Sequence, residues 1–128
     1  MPPCYVFLGS RNAERGAAAV KSITDECPEA KGKIEMLQID VADDASCASA
    51  AAALKAKGVV LYALVNNAGM GLAQEGAGGV DAILNVNFYG PKRGACACAC
   101  ACVCVCVCVC VRARALERES VWARILGK

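Results

Sequence analysis

Apolar positions fall into short unbroken runs separated by polar, helix-forming stretches, and that rhythm predicts strands alternating with helices. Tyr5-Val6-Phe7-Leu8 reads as a short buried strand closed by Gly9-Ser10. Asn12 is then placed to cap a helix with Glu14 in its first turn. That helix is expected to run to about Cys27 with Val20 and Ile23 on its buried side, and Pro28 forbids its continuation. Between Lys33 and Val41, Ile34, Met36 and Gln38 alternate with Leu37 and Ile39, which predicts a second strand ending at Asp40. From near Asp44 to Lys57 the chain is rich in Ala, with Leu54 among few large apolar residues, so helix propensity is high and the packing surface thin. Leu61-Tyr62-Ala63-Leu64-Val65, preceded by Val59 and Val60, has almost no polar interruption and suits a parallel strand covered on both faces. After a Gly-rich loop from Met70 to Gly79, Val80, Ile83, Leu84 and Asn87 restore helical spacing as far as Gly90.

Sheets of this kind bind ligands just beyond the carboxyl ends of their strands, so the residues that follow each strand are the candidates for chemistry. After Val65 come two amides, Asn66 and Asn67, then Ala68 and Gly69, whose small side chains let a flat ligand approach the backbone. Arg11 and Arg15 lie a helical turn apart at the end of the first strand, where two guanidiniums can clamp a phosphate. The competing reading of that pair is a solvated face with an Arg–Glu contact. Asp40 at a strand end either meets a ligand or holds the turn into the next helix. Asn87 either faces a site or bonds to nearby backbone.

Bulk properties narrow the function classes. The 128 residues allow one modest domain, and a net charge of +2 with 20% charged residues gives neither a nucleic-acid surface nor a preference for acidic substrates. With no His in the sequence, zinc hydrolase and Ser-His-Asp chemistry are excluded, and no metal site is expected. Met1-Pro2-Pro3 carries no basic leader and Tyr5 to Leu8 is too short for a signal-peptide core, so the expected setting is the reducing cytoplasm. Cys47 is expected to serve as a small buried hydrophobe.

The Asn66-Asn67-Ala68-Gly69 quartet after an apolar strand resembles the short-chain dehydrogenase/reductase family. Val6 to Gly16 is similar to the second strand and following turn of carbonyl-reductase-type members, and Asp40-Val41 and Asn87 fall in the family's order, so the resemblance covers about Tyr5 to Arg93. It implies an α/β fold, an incomplete Rossmann-like doubly wound parallel sheet, and an NADP-dependent oxidoreductase ancestry with a small-molecule carbonyl substrate. It assigns Arg11 and Arg15 to the 2′-phosphate of NADP, Asp40 and Val41 to adenine, and Asn66, Ala68 and Gly69 to the nicotinamide-side ribose. It makes Asn87 the inherited catalytic residue, holding a water that relays protons to a Lys. The family's opening strand and Gly-rich phosphate turn have no counterpart before Tyr5, and its Tyr-x-x-x-Lys is absent: Tyr5, Tyr62 and Tyr89 are followed at that spacing by Gly9, Asn66 and Arg93. A truncated, inactive reductase that folds poorly by itself is the expectation. Without that first strand, the sheet is expected either to close up between non-neighbours or to keep open edges.

From Gly94 the pattern becomes a strict two-residue alternation, Cys-Ala and then Cys-Val, as far as Val111. A TG repeat read in one frame encodes Cys-Val, a TG/CG variant Cys-Ala, and CG repeats Arg-Ala, which appears at Arg112 to Ala115. Translated simple-sequence DNA is therefore the leading reading of the tract. Its competitors are thiolate metal binding, an 18-residue membrane span over Gly94 to Val111, and an unusually long strand, so the non-enzymatic alternative is a Cys-rich metal-binding or membrane-tethered protein. The resulting division is a partial NADP-binding unit over 1–93, the repeat tract over 94–111 and a tail over 112–128, in which Leu116, Trp122 and Ile125 suit a short amphipathic helix. No oligomeric state is encoded in any of these patterns.

Overall fold

The computed structural model describes residues 5–71, 78–98 and 105–107; most of the Gly-rich loop, much of the repeat tract and the whole tail lie outside the described residues. Strand β1 (Val6–Ser10) leads into helix α1 (Ala13–Glu26), and a single 3-10 turn at Pro28–Ala30 feeds strand β2 (Ile34–Gln38). Helix α2 (Asp44–Ala56) and the short strand β3 (Ala63–Val65) follow. Helix α3 (Gly79–Leu84) runs without a break through a π turn (Asn85–Tyr89) into helix α4 (Gly90–Cys98), and strand β4 (Val105–Val107) follows.

The start of α1 is set by Asn12, whose extended backbone (φ −110°) leaves its side-chain oxygen free to accept the Arg15 N–H at 2.8 Å. β1 and β2 pair in parallel, with Leu8 opposite Met36 and Ser10 opposite Gln38, so their carboxyl ends share one edge. α1 lies against the Leu8–Met36 face, while Lys57 at the end of α2 covers the other, pairing with Glu35 and standing 5.8 Å over the Phe7 ring. α2 carries the densest packing, with Cys47, Ala50 and Leu54 at 3–6% exposure on one stripe. Burial pushes the Cys47 thiol up, keeping it a protonated, inert filler.

Pro91 explains the π turn. It has no N–H for the Asn87 carbonyl four residues back, and its ring would strike that carbonyl in an unbroken α-helix, so the preceding turn widens. The helix nevertheless continues to Cys98, past the expected boundary after Arg93.

The sheet departs from the sequence expectation in the length and cover of its third strand and decides between two expected arrangements of its edges. β3 is three residues long rather than five, and with Val65 55% exposed and Tyr62 93% exposed it lacks the two-sided cover that its composition suits. Among the described residues the strands form two separate parallel pairs, β1–β2 and β3–β4, so of the two arrangements expected it is the one with open edges that is seen there. β4 comes from the Cys-Val alternation and pairs Leu64 with Cys106. Where an expected break in the family pattern stood, part of the tract thus supplies the parallel strand after α4. Among the described residues no helix is long and apolar enough to cross a membrane, and no group of His, Cys, Asp and Glu is placed to hold a metal ion.

Gly16 lets α1 approach the strands closely, because a Cβ there would stand 2.6 Å from Met36 Cγ and 2.8 Å from Ser10 Cβ. Helix propensity alone would favour Ala by about 1 kcal/mol. Overpacking of about 1–3 kcal/mol opposes it. Gly16→Ala is therefore expected to lower the urea midpoint, whereas Ala18→Gly on the exposed side costs only the propensity difference; a midpoint raised by Gly16→Ala would contradict the packing.

Candidate nucleotide-binding site

Three segments leave the carboxyl ends of β1, β2 and β3: Ser10 to Asn12, Ile39 to Asp43, and Asn66 to Met70. The first two are joined directly, since the Ile39 N–H donates to the Ser10 carbonyl at 3.0 Å. Arg11 and Arg15 are both exposed at the start of α1, and among the described residues neither forms an ion pair, so the Arg–Glu contact considered from sequence is not made. Because the Asn12 side chain already occupies the Arg15 N–H, an anion at this helix start would be held by the guanidiniums and the remaining N–H groups.

Asp40 uses one carboxylate oxygen to accept the Ala42 N–H at 2.9 Å, while its own N–H donates to Ser46 Oγ at 2.9 Å. It therefore holds the turn, as one of the two sequence readings required, and Asp43 takes the separate role of capping α2 by accepting the Ala45 N–H. A carboxylate has acceptor capacity beyond that one bond, so the turn and a ligand contact are compatible.

The segments are brought together by α4. Gly90 and Gly94 are one turn apart and both buried. A Cβ on Gly90 would stand 3.1 Å from Val41, and one on Gly94 would stand 3.4 Å from Asn66 and 3.7 Å from Leu64. The same glycine face thus touches Val41 after β2 and Asn66 after β3. Asn87 adds a third tie: its side-chain oxygen accepts the Met70 N–H and its amide nitrogen donates to the Met70 carbonyl, each at 2.9 Å. Both polar atoms of its side chain are engaged with backbone, and Gly69 lies beside it, with a Cβ position 3.5 Å from Asn87 Oδ1.

Two residues that the sequence reading passed over complete this arrangement. Arg93 is only 19% exposed and donates from Nε to Asp44 at 2.9 Å and from Nη1 to the carbonyls of Val41 at 3.2 Å and Asn85 at 3.1 Å. Asn85 donates to the Ala42 carbonyl at 3.2 Å. In sequence Arg93 marked only the end of the family resemblance; its following glycine, Gly94, was the available hint that this helix face lies against something. An open depression of about 240 Å³ lined by Asp44, Tyr89, Lys92, Arg93 and Cys96 lies around this clamp, and none of the residues assigned to the cofactor lines it.

Parallel βα units with small residues and amides beyond their strand ends define a Rossmann-type α/β protein. Residues 3–101 match the short chain dehydrogenase family, and the chain belongs to that family of oxidoreductases. It is 33% identical over 110 residues to (+)-neomenthol dehydrogenase of Arabidopsis thaliana, covering 69% of this chain and 37% of that protein. Among solved structures it resembles menthone neomenthol reductase from Mentha piperita, with a TM-score of 0.65 and 26% identity over 75% of this chain and 46% of the other. It also resembles a metagenomic short-chain oxidoreductase solved in complex with NADP, with a TM-score of 0.59 and 29% identity over 76% of this chain and 44% of the other. The chain spans between 20% and 37% of the length of the curated relatives it matches.

Arg93 acts through its two carbonyl bonds more than through Asp44, which is 86% exposed and screened by water. Arg93→Ala should therefore cost about 1.5–3 kcal/mol in denaturant unfolding, as expected for lost hydrogen bonds to a charged donor. Asp44→Asn should cost well under about 1 kcal/mol. Equal losses in the two variants would assign the clamp to the ion pair instead.

Proposed function

We propose that this chain carries the adenosine-2′-phosphate side and part of the nicotinamide side of an NADP(H)-dependent reductase acting on small carbonyl compounds. The observation that carries the reading is the pair of exposed guanidiniums, Arg11 and Arg15, at the start of α1 with no carboxylate partner among the described residues. Two cations kept unpaired beside a helix start suit a dianionic phosphate better than a solvated surface.

In this reading Arg11 and Arg15 grip the 2′-phosphate and discriminate NADP from NAD. Asp40 offers its remaining acceptor capacity to the adenine amino group while Val41 lies against the ring. Asn66, Ala68 and Gly69 border the ribose on the nicotinamide side, where the small residues admit the flat ring. The bound cofactor would supply the hydride. Since the Asn87 amide is committed to Met70, its part in a proton relay falls to its backbone carbonyl, the group that Pro91 cannot supply with an N–H. A proton donor of the Tyr-x-x-x-Lys kind does not occur in the 128 residues, so this reading assigns the chain binding chemistry without turnover.

Calorimetric titration of the purified chain with adenosine 2′,5′-bisphosphate and with adenosine 5′-monophosphate tests the assignment. The first should bind about ten- to a hundredfold more tightly, the equivalent of one or two charge-assisted bonds. Arg11→Ala combined with Arg15→Ala should erase the difference. No preference for the bisphosphate would refute the site, and NADPH consumption above blank with a panel of carbonyl compounds would refute the prediction of no turnover.

A further inference from the structure

The Asp40 carboxylate is aimed by a chain of contacts that begins on α4. The Val41 carbonyl and the Ala42 N–H belong to one planar trans peptide, so they point in opposite directions and turn together. Arg93 Nη1 donates to that carbonyl at 3.2 Å, and that N–H donates to Asp40 Oδ1 at 2.9 Å. One amide unit therefore links the guanidinium to the carboxylate. With the Arg93 side chain only 19% exposed, water screens its bond to the carbonyl little, and a cation on the oxygen polarises the amide and strengthens its N–H as a donor. Gly90, on the same helix face, admits this approach, since a Cβ there would stand 3.1 Å from Val41.

The neighbouring peptides of the turn are held by other groups. The Asp40 N–H donates to Ser46 Oγ at 2.9 Å, and the Asp40 carbonyl accepts from the Asp43 N–H at 3.2 Å and from the Cys47 thiol at 3.5 Å. The Ala42 carbonyl accepts from the Asn85 amide at 3.2 Å. Different peptides thus have different ties: the start of α2 holds those on either side of Asp40, Asn85 holds the one after Ala42, and Arg93 holds the one between Val41 and Ala42. That last peptide carries the N–H bonded to the carboxylate.

We infer that Arg93 is a positioning residue for base recognition. Through the Val41–Ala42 peptide it fixes one carboxylate oxygen of Asp40 and leaves the other directed at the base. An ionised carboxylate only accepts, so this geometry selects a purine with an exocyclic amino group, as in adenine, over one with a carbonyl in its place, as in hypoxanthine. The role rests on the nucleotide reading above, since Arg93 acts through the adenine contact assigned there to Asp40.

Calorimetric titration of the full chain with adenosine 2′,5′-bisphosphate and with inosine 2′,5′-bisphosphate tests it. The wild-type chain should bind the adenosine compound about tenfold more tightly, the equivalent of one charge-assisted bond. Arg93→Ala should bring the two affinities together while keeping the preference for adenosine 2′,5′-bisphosphate over adenosine 5′-monophosphate that Arg11 and Arg15 set. Asn85→Ala, which loosens the same turn at the next peptide, should keep the base selectivity. Asp40→Asn, which leaves the contacts of α4 in place, should reverse it, because the amide oxygen takes the Ala42 N–H and the amide nitrogen then faces the base. Unchanged selectivity in Arg93→Ala, loss of both preferences together in that variant, or equal losses of selectivity in Arg93→Ala and Asn85→Ala would overturn the role. So would loss of selectivity without reversal in Asp40→Asn, a result that does not depend on whether Arg93→Ala folds. Absence of the 2′-phosphate preference in the wild-type chain would refute the nucleotide site itself, whereas that preference without base selectivity would refute the positioning role alone.

Discussion

Among the described residues the two strand pairs share no ladder, so their arrangement depends on the seam where α4 meets the turn after β2 and the segment after β3. Two glycines remove the side chains that would hold the helix away, and Arg93 fastens the approach by bonding to a carbonyl on each side. Close approach and charge-assisted bonding reinforce one another here. A larger residue at Gly90 would lift the helix and lengthen the Arg93 bonds, while loss of Arg93 would leave two carbonyls facing a partly buried gap.

The seam also accounts for the form of the helix that crosses it. Asn85 and Arg93 both reach the turn after β2, although they are eight residues apart, and the widened turn between them lets the two side chains arrive at neighbouring carbonyls, Ala42 and Val41. Pro91 forces that widening. Asn87, inside the same turn, is presented to Met70 instead and anchors the Gly-rich segment after β3. One local irregularity therefore distributes three polar side chains to two different segments.

Much of this was legible in the residues. Asn12 announced the first helix by its capping chemistry, Pro28 its end, and the alternation from Ile34 the second strand, because each is a local signal that no distant contact needs to complete. The ties across the seam were not legible. Arg93 is one cation beside a low-complexity run, and its partners are a carboxylate 49 residues away and main-chain carbonyls 52 residues away and on its own helix, which leave no mark in sequence. Asp40 could be narrowed only to two roles, and the structure shows the turn-holding one. The third strand came out shorter than its composition suggested because an apolar run specifies burial, while pairing partners decide how much of it becomes strand. The Cys-Val alternation was read chiefly as a coding artefact, yet its period of two is also that of a strand, and three of its residues adopt one.

That strand has an unusual property. From Val103 to Val111 every shift by two residues presents the same Val-Cys-Val triplet, so sliding β4 along β3 by two positions changes no side chain in the pairing. Side-chain identity fixes which face is which but not the register, leaving the length of chain after Cys98 as the remaining determinant. Gain or loss of one Cys-Val unit, two codons or three repeats of the dinucleotide, would be absorbed by the strand as a change of slack rather than a change of contact.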